Sequence, residues 1–351
     1  MAEFNGRLNP NEIFGALYNM IIIQRVFADN IKGTYATLVD KARVDGSMYG
    51  DQKLYYSTDV LRSHPWGADA EAQNLLALDR PQAPKVQAIV LNVFRQIRLT
   101  VDNYLSKRAW STEGAFSSFN SIMIGWMRDT KRVYDSLTYN CYIGTAETDF
   151  GYQTKNITPI DGQNDALTMA EALATLLVDL RDVTRAYNDY GHMRSYDESD
   201  LIVVWNAKHY NTLKYVDLPT IFHKEGLLNE FEQHVLPERY FGTVNAGTQV
   251  GLADKSVRSL IEQDLQGVHY FPGDFIEEGV TAPAGTSYKV DDTIAFKVMH
   301  RDSVPYMSAF EVGTSFFNPR SLTENRYLTY GHNTLEYLKN YPFITARFNE
   351  A

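Results

Sequence analysis

The residues that could do chemistry in this chain are few and stand apart. The 351 residues hold eight histidines and one cysteine. His209 and His223 lie 14 residues apart in different predicted elements, which does not make a metal pair. There is no His-Glu-x-x-His helix motif, no glycine-rich phosphate loop and no Gly-x-Ser-x-Gly elbow. Asp197, Glu198 and Asp200 form a carboxylate cluster between a predicted helix end and a strand, where a solvated loop accounts for them. Asp291-Asp292 reads the same way. Cys141 sits between Asn140 and Tyr142 with no base or cation beside it to favour a thiolate. A lone cysteine forms no internal disulfide and no thiolate cluster, so a buried small apolar group is expected. Asn156-Ile157-Thr158 matches the glycosylation pattern, but residues 1–10 lack the basic and apolar regions of a secretory signal. No catalytic, cofactor-binding or metal-binding residue is therefore expected.

Composition points to surfaces rather than a pocket. A 44% hydrophobic content supports a sizeable core and more than one domain. Tyr (23) and Phe (18) are abundant, and Tyr suits surfaces that become buried only on association. The net charge is −10 and is unevenly placed. Residues 161–290 carry 10 Lys+Arg against 20 Asp+Glu, whereas residues 61–110 carry 7 against 4. A nucleic-acid binder would show a basic face instead. A mildly basic segment in an acidic chain can lie on an acidic neighbour. The cluster Met20–Ile23 is too short to span a bilayer.

Several elements can be placed. Asn9, Pro10 and Glu12 open a predicted helix over residues 9–31, with Ile13, Leu17, Met20 and Ile21 at helical spacing. Tyr49–Gln52 reads as a turn and residues 53–60 as a strand with Leu54 and Tyr56 on one face. Arg62–Gly67 is loop chemistry, Pro81 and Pro84 break the chain again, and Val86–Val93 returns as a β-branched strand. An irregular excursion of that length is usually functional. Residues 112–137 give the clearest long helix, with Phe116, Phe119, Met123, Trp126, Met127, Val133, Tyr134 and Leu137 at 3–4 spacing. Residues 168–190 give a second, opened by a Thr168/Glu171 capping box and ended at Gly191. Leu201–Trp205 reads as a buried strand and Asn206–Leu213 as helix, an α/β unit. Pro219 and Pro237 mark turns, and residues 251–265 read as a short helix. From Thr293 onward strands are predicted at 294–299, 306–312, 326–330 and 342–348.

This order of elements, an arm, a long two-stranded excursion, a spine helix, an α/β domain and returning strands, resembles the major capsid proteins of tailed bacteriophages, the Hong Kong 97 fold. Ile97–Tyr104 with Lys107–Trp110 resembles the passage from extended loop to spine. Leu137–Asn140 with Tyr142–Thr145 resembles the end of the spine helix. Leu201–Trp205 with Asn206 and Tyr210 resembles the axial-domain strand and its helix. Ile221–Lys224 and Pro237–Gly242 look like the small capsid proteins of podophages of Gram-positive hosts.

The resemblance implies an α+β fold divided into an N-terminal arm (1–45), an extended loop (46–96), a peripheral domain with the spine helix (97–145 and 291–351) and an axial domain (146–290). It implies a major capsid protein that self-assembles into hexamers and pentamers of an icosahedral shell around double-stranded DNA. Assembly would take place in the host bacterial cytoplasm and the chain would end in the virion. Scaffolding protein, portal and decoration proteins become partners, with no membrane. Arg62, Trp66 and Lys85 on the excursion, and Arg95 and Arg98 near its base, are the expected intersubunit contacts, since an exposed Trp in a loop calls for a partner surface. An encapsulin-like cellular shell, marked by a cargo groove, and an α/β enzyme with an enclosed polar pocket are the alternatives.

Overall fold

The computed structural model describes residues 37–46, 50–63, 78, 80–102, 113–146, 154–158, 165–216, 231–245 and 287–349. The predicted helices over 9–31 and 251–265 lie outside the described residues. In chain order the first elements are α1 (Thr37–Lys41), β1 (Arg43–Asp45), β2 (Gln52–Ser57), β3 (Lys85–Asp102) and α2 (Glu113–Thr145). Then come β4 (Thr154–Ile157), α3 (Asp165–Arg181), β5 (Leu201–Asn206), α4 (Ala207–Val216), β6 (Glu232–Leu236), β7 (Gly242–Asn245) and β8 (Ser287–Val290). The chain closes with β9 (Ile294–His300), β10 (Tyr306–Asn318), β11 (Thr323–Asn333) and β12 (Phe343–Phe348). Single 3-10 turns occur at Glu198–Asp200 and Glu238–Tyr240. One five-stranded sheet has the order β1-β10-β11-β3-β2, another β4-β12-β9-β5-β6, and β7 pairs with β8.

The chain divides into two compact units, one holding residues 94–136 and 310–331, the other residues 38–93, 137–309 and 332–351. In the larger unit β5, β9 and β12 register in rows. Val203, Val298 and Ile344 make one row, and Trp205, Phe296 and Ala346 the next. These side chains are buried against Met169, Leu173, Leu176 and Leu180 of α3. The Trp205 and Phe296 ring centroids are 5.0 Å apart. All of β5 and β9 is buried, so these strands read as continuous apolar runs, as strands covered on both faces do.

The alternate residues of β9 include Lys297, wholly buried. Its Nζ donates to the Ala146 carbonyl at 2.7 Å and lies 5.4 Å from the Phe343 ring centroid. Ala146 is the first residue beyond α2, so the ammonium meets the negative end of that helix dipole. The last turn of α2 also brings Gly144 against the Tyr240 carbonyl, where a Cβ would come within 2.0 Å of the oxygen. Cys141 is buried there, and burial pushes its thiol pKa well up, as the sequence suggested.

α2 has 33 residues, a rise of about 50 Å, and is longer at its C-terminal end than the periodicity predicts. α3 differs more. It begins at Asp165, so Thr168 lies inside the helix rather than at its cap, and it ends at Arg181. Beyond it, side chains take over backbone groups: Asp182 Oδ1 accepts from Val183 N and Thr184 Oγ1 from Ala186 N. Such local bonds compete with helix continuation. Residues 184–194 close into a loop, with Thr184 and Arg194 exchanging backbone bonds at 2.9 Å. Gly191, at φ 63°, serves this loop and not a helix end.

The predicted C-terminal strands are all present, β10 and β11 longer than expected. β3 also runs nine residues past Val93. Ile97, Leu99 and Val101 continue its inward alternation, which the charges of Arg95 and Arg98 obscure in the sequence. In the smaller unit β3 is joined to β11 by Gln96 Nε2 donating to Thr329 Oγ1 (3.1 Å) and Thr100 Oγ1 to Asn325 Oδ1 (2.7 Å).

Candidate assembly surfaces

The excursion starts from a two-stranded antiparallel ribbon whose register pairs Leu54 with Ala88 and Tyr56 with Val86. Opposed residues share a face. One face therefore carries Gln52, Leu54, Tyr56, Val86, Ala88 and Val90, and every one of them is exposed. Tyr56 keeps 65% of its surface and Leu54 50%. The opposite face carries Ser57, Gln87 and Ile89, which are buried or half-buried. The ribbon thus has its apolar side outward, the reverse of a half-solvated sheet.

Polar bonds hold the ribbon this way round. Ser57 Oγ donates to Asn340 Oδ1 at 2.5 Å and shares a 2.7 Å hydrogen bond with His192 Nδ1. Arg194 Nη2 donates to the Thr58 carbonyl at 2.7 Å. Gln87 Nε2 donates to the Tyr337 carbonyl at 3.0 Å and its Oε1 accepts from Lys339 N at 3.0 Å. Asp59 accepts from Met193 N at 2.9 Å and from Arg185 at 2.5 Å. The Met193 amide and the Arg185 guanidinium hold the Asp59 carboxyl well below the usual carboxylate range. Asn188 completes the receiving loop, its side chain bonding both the N–H and the C=O of His192. These partners are more than 100 residues away in sequence and no local motif announces them.

The five predicted contact residues fall in different settings. Arg62 and Lys85 are exposed at the two ends of the excursion. Trp66 lies outside the described residues. Arg95 is half-buried with its guanidinium 4.5 Å from the Tyr134 ring centroid. Tyr134 in turn meets Tyr330 edge-on at 5.8 Å. Arg98 is exposed and its Nε donates to Gln96 Oε1 at 3.0 Å.

A second exposed apolar surface lies where β10 turns into β11. Phe316 and Phe317 keep 63% and 50% of their surface, and Leu322, at φ 54°, is also exposed. Adjacent strand residues point to opposite faces, so this hairpin end is apolar on both sides. The period-2 pattern gave no sign of it, because both phenylalanines would ordinarily mark a core.

The carboxylate cluster is not a bare solvated loop. Asp197 caps the 3-10 turn through Ser199 N, Glu198 lies 3.4 Å from Arg181 and Asp200 3.6 Å from Arg301. Asp291 faces Arg347 at 3.4 Å and Asp292 faces Lys208 at 2.9 Å. His209 Nε2 hydrogen-bonds the Asp292 carbonyl at 2.7 Å. Among the described residues no three His, Cys, Asp or Glu side chains are placed to hold a metal ion, and no helix is long and apolar enough to cross a membrane.

Comparison with known proteins agrees with this architecture. No protein of curated function matches the chain in sequence. Among solved structures, the chain is similar to one in the capsid structure of Staphylococcus phage Andhra, with a TM-score of 0.62 and 11% identity, over 88% of this chain and 83% of that one. It is similar to a chain in the structure of the head fiber and inner core protein gp22 of native bacteriophage P68, with a TM-score of 0.64, 10% identity and the same coverage. At such identity these likenesses speak for the fold, which is Hong Kong 97-like. The sequence profile of the Phi29-like phage major capsid proteins matches residues 5–345, nearly the whole length. The chain belongs to the Phi29-like phage major capsid protein family and is a shell-forming component of the virion.

Proposed function

We propose that the chain builds its shell by laying the excursion, residues 46–96, over an adjacent subunit, with the arm, residues 1–45, reaching another. Residues 97–145 with 291–351 act as the peripheral domain and 146–290 as the axial domain around which hexamers and pentamers close. Arg62, Trp66 and Lys85 on the excursion and Arg95 and Arg98 at its base make the charged and aromatic contacts. Scaffolding protein, portal and decoration proteins are the further partners. The role is structural and not enzymatic. An acidic chain suits an inner wall that encloses double-stranded DNA without gripping it.

The observation that carries this reading is the ribbon of β2 and β3, fastened by its polar face and bare on its apolar face. Negative-stain imaging and sedimentation of the expressed chain, with and without a scaffolding candidate, test it. Closed shells, tubes or capsomer rings are expected. A monomer under every condition would overturn the reading.

A further inference from the structure

The loop of residues 184–194 grips the root of β2 through one shared hydroxyl. Ser57 Oγ gives its single proton to Asn340 Oδ1, 2.5 Å away, and so accepts from His192 Nδ1 at 2.7 Å. Neutral His192 therefore carries its proton on Nδ1, and Nε2 is the nitrogen that can take another. Arg194 joins the same node, its Nη2 donating to Ser57 Oγ and its Nε to Asn340 Oδ1, each at 3.3 Å. Asn188 is buried and bonds both the N–H and the C=O of His192 at 2.8 Å. With its backbone pinned on both sides, His192 cannot carry its ring to water unless the loop moves.

The surroundings of that ring disfavour a charged imidazole. His192 and Ser57 are both buried. Arg194 and Arg185 of the same loop and Lys85 of β3 oppose a second proton, and Asp59 beyond β2 favours it. The Tyr190 ring lies 5.5 Å away, and the C-terminal segment brings the neutral Asn340 side chain to the shared hydroxyl. Three cations thus stand against one carboxylate, in a place where burial already penalises charge. An imidazolium gains water only if the loop parts from Ser57. The β3 side of the ribbon is held differently: Gln87 bonds the Tyr337 carbonyl and the Lys339 N–H, backbone groups that do not titrate.

We propose that His192, Ser57 and Asn340 form an acid-opened latch: a proton taken up at His192 Nε2 parts loop 184–194 from the root of β2, while Gln87 keeps β3 fastened. The loop moves as a closed unit, because Thr184 and Arg194 exchange backbone bonds at its neck. The ribbon changes from an element held along both strands to one held along β3. Asp59 stays ionised through this step and its bonds to Met193 N and Arg185 favour the closed form, so the latch recloses when the proton leaves. Every contact involved lies within one copy, so the device is independent of what the outward face of the ribbon meets.

Amide exchange of the full chain at pH 7.5 and pH 5.5, corrected for the intrinsic effect of pH, tests this. Peptides covering residues 184–194 should exchange up to about tenfold faster at pH 5.5, the ceiling for an opening coupled to one proton on a group of ordinary value about 6.5. Residues 85–93 and 294–300 should keep their rates, and neutralisation should restore the loop. His192→Asn keeps a hydrogen-bonding atom near the Nδ1 position and cannot titrate, so its loop should exchange equally at the two pH values. Should that variant fail to fold, Lys85→Glu gives the reading from an exposed position: it replaces an opposing cation with a favouring anion and should shrink the acid response. Loop exchange in the unsubstituted chain that ignores pH, or that quickens together with β9, would sink the latch. So would an acid response that persists in His192→Asn or, where that chain does not fold, stays undiminished in Lys85→Glu.

Discussion

The Lys297 ammonium sits 2.7 Å from the Ala146 carbonyl oxygen, in the centre of a buried sheet and at the end of the 33-residue helix α2. A charged donor is thus bonded to the residue just beyond the helix. Replacing Lys297 with Met keeps the length and the apolar stem but leaves that carbonyl without this donor. A loss of roughly 1.5–3 kcal/mol is expected, the range for hydrogen bonds to charged groups. The midpoint of urea unfolding reads it. An unchanged midpoint would mean that the ammonium does not fasten the helix end.

Gly144→Ala should reverse the usual sign of a glycine-to-alanine change in a helix. Alanine is the better helix former by about 1 kcal/mol. Here the new Cβ would lie 2.0 Å from the Tyr240 oxygen and 2.6 Å from its carbonyl carbon, and backbone must move. A net loss of about 1–3 kcal/mol is expected, the scale of an overpacked core. Thermal unfolding that shifts upward instead would show that the turn at Glu238–Tyr240 yields easily.

Acidification should weaken the larger unit before its carboxylates protonate. Burial holds His192 and His300 below the ordinary imidazole range. Around His192, Asp59 favours the proton while Arg194, Arg185 and Lys85 oppose it. Around His300, Asp302 and Asp200 favour it and Arg301 opposes it. A histidine lowered in the folded state binds fewer protons there than in the unfolded chain. Its stabilisation is therefore full above the unfolded value, about 6.5, and declines as pH falls from there toward the folded value. Thermal midpoints measured between pH 7.5 and pH 5 should fall, and His192→Gln should flatten part of that slope. Asp59 acts in the same direction at lower pH: its depressed pKa keeps its bonds until pH drops below the ordinary carboxylate range.

Asp59→Ala should free the root of the excursion without unfolding the unit. It removes the bonds to Met193 N, Val60 N and Arg185. Amide exchange across residues 52–60 should quicken by about tenfold, as expected when a local opening becomes easier by the equivalent of one such bond. Exchange in β5 and β9 should hold. Acceleration everywhere would show that the latch supports the whole unit.

Reversing Arg62 and Lys85 to Glu should leave circular dichroism unchanged and reduce particle yield, more at low than at high ionic strength. Normal shells from this double variant would end the case for charge complementarity at the excursion.

Much of the frame was legible because its signals are local. Leu201–Trp205 is apolar throughout and became a strand buried on both faces. The stripe Met169, Leu173, Leu176, Leu180 became the core face of α3. Misreadings arose where side chains outcompeted periodicity. Val183 and Tyr187 extend the helical spacing, yet Asp182 and Thr184 end the helix before them. The extra length of β3 was hidden because Arg95 and Arg98 occur within an alternating strand. Alternation marked Leu54 and Tyr56 as sharing a face, but not which way that face looks. That depends on Ser57 finding Asn340 and His192, 283 and 135 residues away. The exposed Phe316 and Phe317 were unreadable for the same reason: the sequence shows an apolar residue but not whether its own chain covers it.

The outward apolar ribbon carries a thermal consequence. Burying such a face is driven by water entropy near room temperature and weakens on cooling. Particles joined through Tyr56, Leu54 and Val86 should therefore grow more readily when warmed and loosen in the cold. Stabilising salts such as sulfate should act in the direction of warming. Chilling then becomes a means of returning subunits to solution without denaturing them.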